Sequence, residues 1–186
     1  MNGFSSQYLH GLELLLPRLD ATAIDRACAC LATARDAGRT VYTCGNGGSA
    51  SIASQMVVDL LKGGSYQKPR RFRALALTDS IATITAYAND VTYDDVFVEQ
   101  LRNWVQPGDV LIAISGSGNS ANVIKAVEFA NQAGCATIGL TSAETGRLRE
   151  IATLPLLVPT RHMGHLEDLF FVATHILCYA FIEDRL

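Results

Sequence analysis

A doubly wound α/β fold with a five-stranded parallel sheet is predicted by three observations. Short apolar runs without polar alternation recur along the chain, and segments of helical spacing separate them. In addition, two turns rich in glycine and serine each follow such a run and open a helix. Strands with no polar face must be covered on both sides, which is the condition of a parallel sheet between helical layers. At 186 residues, with 49% hydrophobic and 18% charged side chains, the chain suits one domain with a sizeable core.

The elements follow in order. Leu9, Leu12, Leu15 and Leu16 give a helix over 5–16. Ile24, Ala27, Leu31 and Ala34 give a second over 21–37, capped by Asp20 or Thr22 and stopped at Gly38. Thr40–Cys44 is a strand running into Gly45-Asn46-Gly47-Gly48-Ser49, and a helix follows over 50–62. A break at Gly63-Gly64-Ser65 and a basic turn (Lys68, Arg70, Arg71) lead to a strand at 73–77. Helices are expected at 81–88 and 96–104, then the apolar strand Val110–Ile114, a helix at 122–133 and a strand at 136–140. A short helix at 146–151, a strand at 154–158 and a long apolar helix at 166–182 complete the chain. The whole, 1–186, reads as one domain: residues 1–38 as N-terminal helices forming an oligomer interface, 39–186 as the ligand-binding core.

Composition excludes several classes. A formal net charge of −3 does not suit a general nucleic-acid surface. The five cysteines are odd in number and lack metal-type CxxC spacing, so neither a disulfide framework nor a zinc ribbon is expected. The first residues lack a signal-peptide pattern, and no run reaches the ~18 apolar residues of a membrane span. A reduced, cytoplasmic setting without membrane contact is the expectation.

The two turns carry the chemistry. Both end strands at the carboxyl edge of a parallel sheet, where ligands bind in such folds. Glycines allow close backbone approach. Asn46, Gly47 and Ser49 from the first turn, with Ser115, Ser117 and Ser120 from the second, supply amides and hydroxyls, and helix N-termini favour an anion. The ligand predicted is a phosphorylated small molecule. Gly-Lys-Ser/Thr is missing, and the first turn lacks the third glycine of GxGxxG, so no nucleotide cofactor is expected.

Gly45-Asn46-Gly47-Gly48-Ser49, together with the stretch from Gly108-Asp109-Val110-Leu111 through Ser115-Gly116-Ser117-Gly118-Asn119-Ser120-Ala121-Asn122-Val123, resembles the two signature stretches of sugar isomerase (SIS) domains. The second is similar to the phosphoheptose isomerase form, as are Ala88-Asn89-Asp90 and a C-terminal helix carrying His175. The resemblance implies a homotetramer that converts sedoheptulose 7-phosphate to an aldoheptose 7-phosphate through an enediol. It assigns phosphate binding to Ser49, Ser115, Ser117 and Ser120, and matches Asp90 to a substrate-binding aspartate. The remaining polar positions depart from the pattern: Gln55 stands for a histidine, Asp59 for a glutamate, Glu167 for a glutamine and Gly164 for an aspartate, while His175 is kept. Some similar SIS tetramers bind the bacterial replication initiator instead of catalysing, and a sugar-phosphate sensor is a third reading.

Gln55 and Asp59 share a helical face, as do Glu167 and His175. Asp59, Glu167 and His175 are the catalytic candidates, either for proton transfer tuned by burial or, with Gln55, as oxygen and nitrogen ligands for zinc. His162 and His165 read as exposed loop residues. Trp104 and Tyr93 read as packing.

Overall fold

The computed structural model describes residues 3–186. A helix α1 (Phe4–Leu15) and a 3₁₀ turn (Leu16–Arg18) lead into α2 (Ala21–Asp36). Asp20 caps α2 by accepting from the Ala23 amide at 3.0 Å. The alternating part consists of β1 (Thr40–Gly45), α3 (Gly48–Val58), β2 (Arg73–Ala76), α4 (Ile81–Asp90), α5 (Val98–Trp104), β3 (Val110–Ile114), α6 (Ala121–Gln132), β4 (Ala136–Ser142), α7 (Leu148–Ile151), β5 (Leu154–Val158) and α8 (Met163–Ile182). The five strands form one parallel sheet in the order β2-β1-β3-β4-β5, with Val41 beside Ala74 on one side and Val110 on the other.

The missing polar alternation has a direct cause. In β3, Val110, Ile112 and Ile114 point into a core shared with α2, α3 and α8, through Leu31, Met56 and Phe170. Leu111 and Ala113 point into a second core with Leu101, Val123 and Leu148. Each face therefore buries its own apolar row. The order reverses between β1 and β3, so the turns that end these two neighbouring strands flank the crevice where an open α/β sheet binds its ligand.

Three local readings change. α3 does not run unbroken to residue 62: it gives way to a π-helical turn, Asp59–Gly63. Such turns insert a residue into the ladder and re-aim side chains. α8 begins at Met163, with His162 as its cap, so His165 lies inside the helix and not in a loop. Its imidazole packs edge-on against Tyr8, with ring centroids 4.2 Å apart. Trp104 and Tyr93 are not packing residues, being 64% and 51% exposed. The basic turn is partly structural: Lys68 donates to the Phe181 and Ile182 carbonyls and to Asp184, holding the C-terminal end of α8.

The apolar face expected on α1 divides. Leu12 and Leu15 pack on the core, while Leu9 and Leu16 stay exposed, with Phe4 and Leu14. α8 is long and apolar enough to cross a membrane by length and composition alone, and here it packs against α2 and α3.

Candidate functional site

The first turn is held by its own backbone. A side chain at Gly45 would meet the Ser49 backbone at 2.8 Å, and Gly47 adopts φ +56°. The Ser49 amide closes the turn on the Asn46 carbonyl at 3.0 Å. Ser49 is buried at the start of the helix. In the second turn the Ser115 hydroxyl lies 3.1 Å from that of Ser120 and 3.5 Å from that of Ser117. Neither α3 nor α6 has a cap from the side chain that precedes it, although the Ser49, Ala50 and Val123 amides are engaged within their own turns, so only the first amides of each helix are left to a ligand.

These groups line one pocket of ≈ 330 Å³, in which Asn46, Ser49, Ser115, Ser117 and Ser120 are joined by Glu167. Its donors are neutral, and the one ionisable side chain in its wall is that glutamate. Sequence reading missed what joins the two turns. Asn46 and Asn122 exchange a reciprocal pair of amide hydrogen bonds, both 2.9 Å, and the Tyr93 hydroxyl donates to the same Asn46 oxygen at 2.9 Å. Asn122 is buried and also accepts from the Val123 amide at 2.9 Å. The signal was present, since a buried asparagine in the first turn of a helix needs a partner.

The polar residues of α3 and α8 fall into two groups. Glu167 rests on Gly48, where any side chain would collide with its carboxylate. Asp59 and His175 meet further along, with Asp59 Oδ2 3.9 Å from His175 Nε2. Gln55 Nε2 donates to Asp59 Oδ1 at 3.2 Å. Glu167 and His175 are eight residues apart, about 12 Å along the axis at ~1.5 Å per residue. The burial expected of the imidazole is not found: 48% of the His175 side chain is exposed, because this face of α8, with Ile176 and Tyr179, turns outward in the single chain.

The zinc set is not assembled in one chain. Among the described residues no three His, Cys, Asp or Glu side chains lie close enough to share an ion. Asp59 and His175 offer two donors, Glu167 sits apart, and the Gln55 amide is engaged with Asp59. The residues of a single chain therefore do not fit a resident zinc. Asp90 also lies apart from the serine pocket, in a separate hollow of ≈ 560 Å³ lined by α4, where it accepts from Asn89 Nδ2 at 2.7 Å. The position lacking its aspartate, Gly164, is filled from outside: a side chain there would meet the Tyr8 hydroxyl at 2.5 Å, and that hydroxyl donates to Asp168 at 2.7 Å.

Burial disfavours the reactive thiolate form of the cysteines. All are free thiols, and burial pushes Cys44 up to about 12 and Cys135 up to about 11.

The SIS domain family profile matches residues 7–142. A phosphoheptose isomerase from Rhodospirillum rubrum is 40% identical over 167 residues, which cover 89% of this chain and 87% of that protein. A solved phosphoheptose isomerase from Francisella tularensis superposes with a TM-score of 0.89 at 28% identity, covering 96% of each chain. The phosphoheptose isomerase of Neisseria gonorrhoeae superposes with a TM-score of 0.84 at 28% identity, covering 98% of this chain and 94% of that one.

Proposed function

The chain belongs to the SIS domain family, and on that premise we propose that it is a phosphoheptose isomerase, interconverting sedoheptulose 7-phosphate and an aldoheptose 7-phosphate. The observation that carries the substrate class is the convergence of the Ser115, Ser117 and Ser120 hydroxyls with Ser49 and two uncapped helix N-termini around one pocket. Such a site binds a phosphate monoester through directed donors without a cationic side chain. Asn46 and Gly47 shape the floor of the first turn, and the sugar chain leaves the phosphate past Glu167.

The reaction moves one proton between adjacent carbons and one between their oxygens. Glu167 is the ionisable group in the phosphate pocket; it stands at the C7 end of a bound 7-phosphate, away from C1 and C2, and accepts from the hydroxyls of the chain next to the phosphate. The proton carrier for C1 and C2 is His175, held by Asp59, whose other oxygen is fixed by Gln55. No step runs through zinc. Asp90 meets the polyol only when chains assemble.

Assembly is supported by surface chemistry. Phe4, Leu9 and Leu14 on α1 and Ile81 on α4 are each more than half exposed, and a lone domain rarely leaves so many large apolar groups in water. A homotetramer would cover them and bring His175 and Asp90 under a second chain. Free thiols at all five cysteines fit a cytoplasmic setting.

The deciding experiment is an isomerisation assay over a panel of ketose phosphates, with and without added zinc. Turnover of the seven-carbon substrate in both conditions is the expected result. Binding of sugar phosphates without turnover of any would replace this reading with that of a sensor; the changes at Gln55, Asp59 and Gly164 favour a non-enzyme or a changed substrate. Binding of none would remove the phosphate site.

A further inference from the structure

We propose that Met163 is a reversible oxidation site that closes the phosphate pocket when its thioether becomes a sulfoxide. The inference rests on the pocket being a sugar-phosphate site. Met163 is the first residue of α8 and is 56% exposed. Its sulfur lies over Gly116, where a Cβ would stand 3.3 Å from it. The side chain lines the serine pocket on one side and a second hollow of ≈ 350 Å³, with Ser117, Asn119 and Arg161, on the other. It thus forms part of the wall shared by the two hollows.

The other sulfurs are protected. Met56 is 1% exposed in the core. Cys28, Cys44, Cys135 and Cys178 are buried, Cys30 is half-buried, and burial raises the pKa of each, which keeps the reactive thiolate scarce. A hydroperoxide reaching the molecule therefore meets the Met163 thioether first among the described residues.

The step balances simply. A sulfur lone pair attacks one peroxide oxygen, the O–O bond breaks, an S–O bond forms, and the other oxygen leaves as water after taking the proton. The peroxide is reduced by two electrons and the thioether is oxidised by two. The product is polar and accepts hydrogen bonds without donating any. Beside Gly116 and Ser117, its oxygen competes for the hydroxyls that a phosphate needs and presents negative charge to an anion. A reductase that acts on methionine sulfoxide, drawing electrons from a dithiol, restores the thioether.

The test uses the full chain treated with graded hydrogen peroxide. Peptide mass spectrometry reads oxidation, and calorimetry reads binding of sedoheptulose 7-phosphate. One oxygen on Met163 ahead of Met56 is expected. Affinity should fall about tenfold or more in step with it, the scale of one lost hydrogen bond to an anion, and methionine sulfoxide reductase should restore it. Met163→Leu should keep its own starting affinity through the same treatment, and Met163→Gln, a polar stand-in for the sulfoxide, should bind weakly without peroxide. Oxidised Met163 with unchanged affinity overturns the proposal, as does loss of affinity in Met163→Leu at the wild-type rate. If untreated wild type fails to bind the sugar phosphate, the phosphate-site reading falls first and this one with it.

Discussion

The Ser115–Ser120 turn and the seam where Asp59 meets His175 serve one proposed reaction but are built differently. In the turn, backbone dominates: Gly118 adopts φ +66° with the backbone of Gly146 against it, and the three hydroxyls gather because the strand ends and the helix begins within a few residues. At the seam, two side chains from separate helices meet at 3.9 Å, one of them half exposed. The turn is complete within one chain. The seam is open to solvent on the outward face of α8. Local geometry thus shapes the proposed binding site, whereas the proposed catalytic groups depend on packing between distant segments.

The largest effect expected separates these two regions outright. His175→Ala should lower turnover by about 10²–10⁴-fold, the usual worth of a proton carrier, and leave phosphate affinity unchanged in calorimetry. Equal losses in both measurements would mean that seam and turn are one unit. Next in size is Ser115→Ala with Ser117→Ala. Each hydrogen bond to a charged group contributes about 1.5–3 kcal/mol, so affinity should fall at least tenfold per serine. Turnover at saturating substrate should fall much less. Unchanged affinity would remove the serines from the phosphate site.

How legible each region was follows from the same contrast. Glycine, serine and strand edge are read from neighbours in sequence, so the five strands, to within two residues at their ends, and both turns were visible in the chain itself. The pocket's serines came with them. What was not visible depends on long separations: the Asn46–Asn122 pair joins residues 76 apart, and Tyr93 reaches Asn46 across 47. The π-helical turn at Asp59 has no sequence signature, because the period changes by one residue within a single turn. Helical periodicity put Glu167 and His175 on one face, but eight residues of rise part them, so shared face did not mean shared site. The exposure of His175 was hidden for a related reason, since an apolar helix reads as buried whether a domain core or another chain covers it.

A smaller effect tests the link between the two turns. Asn122→Ala would leave Asn46 Nδ2 without its acceptor, while the Tyr93 hydroxyl still holds the Asn46 oxygen. An unpaired polar group of this kind costs about 1–3 kcal/mol, readable as a lower denaturant midpoint with an unchanged slope. Phosphate affinity should fall as well, because Asn46 would no longer anchor the first turn against the second. Lower stability with full affinity would show that each turn holds its own shape and that the amide pair serves the fold alone.

The smallest effect concerns the docking of α1 on the start of α8, which brings an N-terminal helix to the edge of the pocket. Tyr8 donates to Asp168 at 2.7 Å, and the Tyr8 carbonyl lies 3.0 Å from His165 Nε2. The hydrogen bond to Asp168 raises the Tyr8 phenol above its ordinary value, with the nearby Asp168 and Glu167 charges adding in the same direction. A raised pKa in the folded state means that the contact is fully present below the ordinary phenol value and is lost as pH rises through the raised one. Spectrophotometric titration should therefore show a tyrosine ionising late, and Asp168→Asn should bring it back toward the ordinary value. Tyr42 is also raised, chiefly by burial, and serves as the internal reference because Asp168→Asn leaves it unmoved. If neither late phenol shifts in Asp168→Asn, the Tyr8–Asp168 bond does not hold α1 in solution, and the helix is fixed by the apolar contacts of Leu12 and Leu15 instead.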